Sequence, residues 1–276
     1  MEWVMMSDRL PMLRWMQGTG NRFAIADQAD LQDRDPSELA RLLAAHPHRP
    51  DGLLVLAPDA TTSDVAMRIF NSDGSEARMC GNGLRCVVYD QVRRGLVGAG
   101  PARIRVGDHV LEGRVQSVSG QEALVCTTMP VPTIVRTEGL LQVELGNMHV
   151  IVMHDQLPSE ESWRYQVGKL HEQGLNDVNL HAVQILSEDT IAMSSWERGV
   201  GPTLACASGA TAAVSGLASM NRIHDSVLVK QPGGELRVHW QGDGAQPTNS
   251  GMVGDLDEDE QGPSGNNMRQ RHCEQT

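Results

Sequence analysis

"CGNGLRCVV", residues 80–88, and "CASGATAAV", residues 206–214, decide the fold. Both run Cys, small residue, polar or small residue, Gly, and then into a helix-forming stretch. They stand 126 positions apart, close to half the folded part of the chain. A strand-like segment and a turn bearing acidic or arginine residues precede each: "NSDGSEARM" (71–79) before the first, "WERGVGPTLA" (196–205) before the second. Two such loops in register predict a duplicated domain with a site between the halves. A boundary near Pro130–Arg136 divides the chain evenly.

The flanking pattern agrees. Short alternating or β-branched runs predict strands at "FAIAD" (23–27), "GLLVLAP" (52–58), "VAMRIFN" (65–71), "ARIRV" (102–106) and "ALVCTTM" (123–129). Further runs follow at "MHVIVMH" (148–154), "HAVQIL" (181–186), "TIAMSSW" (190–196), "SVLVKQP" (226–232) and "ELRVHW" (235–240). Helices are expected at "PSELARLLAAH" (36–46), capped by Asp35–Pro36, and at "GLRCVVYDQVRRGL" (83–96) and "GATAAVSGLASMNRI" (209–223). The last of these is small and apolar, as a helix buried inside a sheet would be. "DLDEDEQGPSGNNMRQRHCEQT" (255–276) is acidic and lacks an apolar pattern, so it reads as a disordered tail.

Composition narrows the function. A formal net charge of −12 argues against general nucleic-acid or anionic-membrane binding, which need clustered positive charge. No apolar run approaches the ~18–20 residues of a membrane span. The start "MEWVMMSDRL" lacks the regions of a signal peptide, with methionines at 1, 5 and 6 as candidate starts. A cytoplasmic protein is expected. Its five cysteines are an odd number, spread widely, and should stay reduced.

The cysteine loops admit three readings. Cys80 and Cys86 are too far around a helix to share an ion, and no second pair is present, so no metal site is expected. Cys86 and Cys126 read as core residues, and Cys273 falls in the tail. Cys80 and Cys206 differ, since each stands just before a helix, where free N–H groups favour an anion and lower a thiol pKa. Two such loops face to face would grip a carboxylate from two helix ends and put one sulfur on each face of the adjoining carbon. That arrangement suits stereochemical inversion. From the residues alone it stays one reading among others.

The signatures "FNSDGSEARMCGNGLRC" (70–86) and "ERGVGPTLACASGATAA" (197–213) closely resemble those of the diaminopimelate epimerase family. "MQGTGNRFAIAD" (16–27), "PDGLLVL" (50–56), "LGNMHVIV" (145–152) and "DVNLHAV" (177–183) match in the same order, so the resemblance covers about residues 13–254. It implies an α+β fold of two pseudo-symmetric domains, each a mostly antiparallel barrel-like sheet around a central helix, with the active site in the cleft between. Domains at 1–132 and 133–254 are expected, followed by the tail.

The activity implied is cofactor-independent, two-base epimerisation of LL-2,6-diaminopimelate to the meso form, a step towards lysine and peptidoglycan precursors. The alternatives are another amino acid handled by the same cysteine pair, for example histidine, or a degenerate non-catalytic paralogue. Cys80 and Cys206 would be the acid/base pair, with His149 and Glu197 assisting their deprotonation. Gly81, Asn82, Ala207 and Ser208 would bind the carboxylate through backbone N–H groups. Asn21, Asn71, Asn147, Asn179, Glu197 and Arg198 would bind the rest of the substrate. A homodimer is implied. Taken singly, the asparagines also suit turns, His149 an ordinary strand, and Glu197–Arg198 a local ion pair.

Four residues depart from the family pattern: Ala207 for Gly, Arg22 for Asp, Met148 for Pro, and Pro202 for an acidic residue. Ala207 predicts a crowded carboxylate or a disfavoured positive φ, Arg22 a cation at the site entrance, and Pro202 a lost N–H in the second turn. "GMVGD" (251–255) also runs straight into "LDEDEQG", so a closing strand is expected to be missing and a sheet edge left open.

Overall fold

A computed structural model describes residues 10–59, 63–98, 100–137 and 140–256. The tail from 257 onwards, with Cys273, and the candidate starts among residues 1–9 lie outside the described residues.

The first half runs β1 (Arg14–Gly18), β2 (Asn21–Asp27), the single turn α1 (Gln28–Leu31), α2 (Pro36–Leu43), β3 (Gly52–Pro58), β4 (Val65–Asn71) and the short β5 (Glu76–Ala77). The helix α3 (Gly81–Arg93), β6 (Ala102–Val106), β7 (His109–Ser119) and β8 (Glu122–Thr128) complete it. The second half opens with β9 (Thr133–Thr137) and then repeats that order. It has β10 (Leu140–Glu144), β11 (Met148–Met153), α4 (Glu160–Glu172), β12 (Asn179–Ser187), β13 (Thr190–Glu197), the short β14 (Gly201–Thr203) and α5 (Ala207–Ala218). It ends with β15 (Ser226–Gln231), β16 (Gly234–His239) and β17 (Thr248–Asp255).

Pairing repeats as well as order. β2–β3 and β4–β6 are parallel in the first half, as β11–β12 and β13–β15 are in the second. The other pairings are antiparallel. β1, β2, β3, β4, β6, β7, β8 and β17 close into an eight-stranded barrel. The sheet edge expected to be open is therefore closed in this barrel, while the strand expected to be missing after "GMVGD" would fall outside the described residues. β17 runs through "GMVGD" and pairs with β1, β8 and β16, so these residues supply the closure themselves.

Each half wraps one helix, buried on all sides over most of its length. α3 lies against β1, β6, β7, β8 and β17, and α5 against β10, β11, β12 and β16. The interior admits α5 because its residues are almost all Ala, Gly, Ser and Thr, which let strands approach closely. At the far end of α3, the buried Asp90 accepts from Arg14 Nε at 2.8 Å, and Arg14 and Arg94 both reach Asp27. This charge network fixes the axis of the helix that carries Cys80. Cys86 is buried in the core, whereas Cys126, also expected there, is only half-buried because its strand face is partly open to solvent.

Candidate active site

Cys80 and Cys206 occupy the same local position. Each is the N-cap of its helix in an extended backbone conformation, and each sulfur accepts the N–H of the glycine three residues on, at 3.3 Å. The backbone carbonyls of the two cysteines take the next N–H groups, from Leu84 and Ala210, both at 2.9 Å. The N–H groups of Gly81, Asn82, Ala207 and Ser208 precede those and have no intrahelical acceptor. They point out of two helix ends that meet. A Cβ on Gly81 would lie 2.8 Å from the Ala207 methyl, so glycine is what permits the approach.

A cleft of about 800 Å³, partly open to solvent, lies at this junction. Both sulfurs line it, with Gly81, Asn82, Ala207, Ser208, Asn21, Asn71, Asn147, Asn179, Glu197 and Arg198. Strand ends bring these residues in: Asn21 opens β2, Asn71 closes β4, Asn179 opens β12 and Glu197 closes β13.

The hydrogen bonds preset the lining. Asn82 Nδ2 donates to Asn21 Oδ1 and, at 3.3 Å, to the Ala205 carbonyl, tying the two cysteine loops together. Asn147 reaches the Met79 carbonyl and Asn179 the Met148 carbonyl, each at 3.3 Å. A Glu197–Arg198 ion pair, the plainer reading of these two residues, does not form. Glu197 accepts from Thr203 Oγ1 at 2.6 Å, while Arg198 turns outward to Asp177 at 2.9 Å.

His149 does not line the cleft. It is fully buried, with Nδ1 2.9 Å from His181 Nε2, and His181 Nδ1 is 2.9 Å from Ser195 Oγ. Ring nitrogens of both histidines and the Cys206 sulfur lie within 4.8 Å of one another. Three ligands, two of them already hydrogen-bonded together, fall short of a closed four-ligand zinc site.

Burial governs the electrostatics and overturns the expected low thiol pKa values. Cys80 keeps some exposure to the cleft, yet dense surroundings push its thiol up to about 12. The Gly83 N–H and Arg85 oppose that shift; Glu197 and Asp51 add to it. Cys206 is held well above its usual range, by burial first and the Glu197 charge second, against hydrogen bonds from Ser208 and Gly209. The Glu197 carboxyl is itself raised by burial. Desolvation here outweighs what a helix end offers a thiolate.

The departures resolve locally. Ala207 is the first residue of α5 and not among the described residues of positive φ, and its methyl fills the space above Gly81. Arg22 does not face the cleft; its backbone N–H holds Asp51 at 2.8 Å and its guanidinium turns to the His48 carbonyl. Pro202 sits exposed on β14, opposite Trp196, and Met148 opens β11 beside Asn179. Asp51 and Thr203 line the cleft without having been singled out. Asp51 stands within "PDGLLVL" just before β3, and Thr203 inside the second signature, so position in the motifs was the available signal.

A sequence profile described as diaminopimelate epimerase matches residues 14–130 and 141–256. The diaminopimelate epimerase of Halothermothrix orenii is 33% identical over 258 residues, covering 82% of this chain and 89% of that protein. That of Methanothermobacter thermautotrophicus is 33% identical over 260 residues, covering 84% and 91%. Among solved structures, a PhzF-family phenazine biosynthesis protein from Bacillus anthracis aligns with a TM-score of 0.69 at 14% identity, over 89% of this chain and 96% of its own. A probable proline racemase from Agrobacterium radiobacter gives 0.68 at 16%, over 88% and 90%. At such identities these two speak for the fold alone. With both halves matched by the profile, and relatives a third identical across most of their length, the chain belongs to the diaminopimelate epimerase family.

Proposed function

We propose that this protein epimerises 2,6-diaminopimelate, interconverting the LL and meso forms with its two thiols as acid and base. The observation that carries the reading is two N-capping sulfurs, on helices that meet end to end, in one cleft with the matched polar residues. The substrate α-carboxylate would sit on the free N–H groups of Gly81, Asn82, Ala207 and Ser208, where two helix ends favour negative charge. One sulfur, as thiolate, takes the α-proton, and the opposite thiol delivers its own proton to the other face. The Cα–H bond broken is replaced by one of inverted sense, and the two sulfurs exchange protonation states.

The raised thiol pKa values fit a site that completes itself on binding. The substrate ammonium would bring positive charge into a dry cleft, where it stabilises thiolate far more than in water. Glu197 is the base for Cys206: its carboxyl is raised by burial and hydrogen-bonds that thiol. His149 acts beside Cys206 through the His181 pair. Asn21, Asn71, Asn147, Asn179 and Arg198 would hold the distal amino-acid head. We place the reaction in the cytoplasm, without a cofactor, in a homodimer. No helix among the described residues is long and apolar enough to cross a membrane.

Chiral chromatography after incubation with LL- and meso-diaminopimelate, histidine, proline and 4-hydroxyproline tests the reading. Interconversion of diaminopimelate alone is expected. Turnover of another amino acid in its place would move the substrate, and binding without turnover of any of them would make the chain a degenerate paralogue.

A further inference from the structure

Arg85 is 0% exposed, one turn into α3 from the Cys80 loop, and no carboxylate among the described residues pairs with it. Its guanidinium is instead forked among neutral oxygens: Thr19 Oγ1 at 2.8 Å, Asn82 Oδ1 and Asn249 Oδ1, with Nε unpartnered. Three separate elements build this socket. Thr19 comes from the β1–β2 turn, Asn82 from the first turn of α3, and Asn249 from β17. Gly251 of β17 leaves the room, since a Cβ there would lie 3.1 Å from Arg85 Nε and 3.0 Å from Thr19 Oγ1.

A buried charge without a counter-ion is costly, by several kcal/mol as a rule of about that order, so a chain that only needed packing would use an apolar side chain here. The anions that the site can form explain it. Cys80 is the cleft-lining thiol whose ionisation this charge favours, and the buried Cys86 and half-buried Cys126 stand in the same field. The contact to Asn82 adds a mechanical link. Because Arg85 holds Asn82 Oδ1, the Asn82 amide must present its Nδ2 to Asn21 and to the Ala205 carbonyl, beside Cys206.

We infer that Arg85 is a positioning residue: from inside α3 it orients Asn82 across the two cysteine loops and supplies the positive field in which Cys80 becomes the proton-abstracting thiolate. The inference rests on the two-thiol reading of the cleft but not on the identity of the substrate. The other charged and titratable groups acting on Cys80 are Glu197 at the end of β13 and Asp51 before β3, both of which oppose ionisation. Cys86 follows on α3 itself.

The test is iodoacetamide labelling of Cys80, read by peptide mass spectrometry against pH in the full chain, with kcat and KM measured alongside. In Arg85→Gln the labelling rate at a given pH should fall by about tenfold or more, as the thiolate fraction does when a thiol pKa rises by one unit. Its kcat should fall by at least about tenfold while KM changes less than about threefold, the split expected when a transition-state rather than a binding interaction is lost. Arg85→Lys should restore the labelling rate but only part of kcat, because an ammonium cannot fork to all three oxygens. A folded Arg85→Gln with the wild-type labelling rate at every pH would overturn the inference.

Should that variant not fold, Asn249→Ala frees one arm of the guanidinium with the charge in place. A kcat reduced at constant KM supports the inference, and an unchanged kcat defeats it. Labelling needs no substrate, so a slowed labelling rate in a protein inert towards diaminopimelate would sink the proposed reaction and leave Arg85 standing. Normal epimerisation with no slowing would do the reverse.

Discussion

The two cysteine loops share a backbone and differ in charge. In the register of the duplication, Gly81 corresponds to Ala207, Asn82 to Ser208, Arg85 to Thr211 and Asn71 to Glu197. The cation stands on one side only, since Thr211 spends its hydroxyl on the Ala207 carbonyl at 2.8 Å. The matching strand end carries a carboxylate on the other side only: Glu197 at the end of β13 acts most directly on Cys206 and also raises Cys80, whereas Asn71 at the end of β4 serves its own turn through Ser75 at 3.0 Å. A repeated scaffold thus delivers two sulfurs in one geometry, and three or four side chains make them unequal. Burial raises both thiols, but only Cys80 has the buried cation in its field and Cys206 feels the carboxylate more strongly, an inequality that suits the proposed two-base reaction, which starts from one thiolate and one thiol.

The comparison can be broken from several directions. Cys80→Ala and Cys206→Ala should each lower epimerisation about a thousandfold or more, at the upper part of the general acid–base range of about 10²–10⁴. Glu197→Gln should cost about a hundredfold on the same scale, and its pH–rate profile should lose the limb belonging to Cys206. If either cysteine variant kept wild-type activity, the equivalence of the loops would be only structural.

The Gly81/Ala207 exchange gives a smaller effect. Gly81→Ala drives a methyl to 2.8 Å from another and should destabilise by about 1–3 kcal/mol through overpacking, as read by urea unfolding. Adding Ala207→Gly should recover most of that loss, because the clash lies between those two positions.

Stability should also fall with acid on the Cys206 side. Burial holds His149 down to about 3 and His181 well below its usual range. The unfolded chain protonates both near the ordinary histidine value of about 6.5 while the folded chain does not. Their stabilisation is therefore present above about pH 6.5 and lost as pH falls towards the folded value. Thermal unfolding between pH 7.5 and 4.5 should show the decline, and His181→Gln should flatten it. Least affected is Cys126→Ala, half-buried and away from the cleft, which should keep full activity and change stability by less than about 0.5 kcal/mol.

Much of this was legible in the sequence where pattern and burial coincide. "GLLVLAP", "VAMRIFN" and "ARIRV" are strands over the residues that alternation gave. The missed strands show why alternation fails elsewhere. In β7, "HVLEGRVQSVS" is largely exposed and bulged at Val115–Ser117, so few apolar residues mark it. In α4, "EESWRYQVGKLHE" buries only Trp163 and Val167 and reads as a polar loop. β17 was hidden because its closing role depends on partners 120 or more residues away in the chain.

At the site, the two sulfurs and the asparagines could be located from the motifs. The raised thiol pKa values could not, because burial is set by the whole barrel. Nor could the turn of Arg22 away from the cleft, or the withdrawal of His149 to His181.

The most direct test of the account is solvent-isotope incorporation during early turnover of LL-diaminopimelate in D₂O. Two thiols on opposite faces predict a meso product that carries deuterium at the inverted carbon, while the recovered LL substrate keeps its original proton. Deuterium entering recovered substrate as fast as product would mean that one base serves both faces, and the division of labour between Cys80 and Cys206 would be wrong.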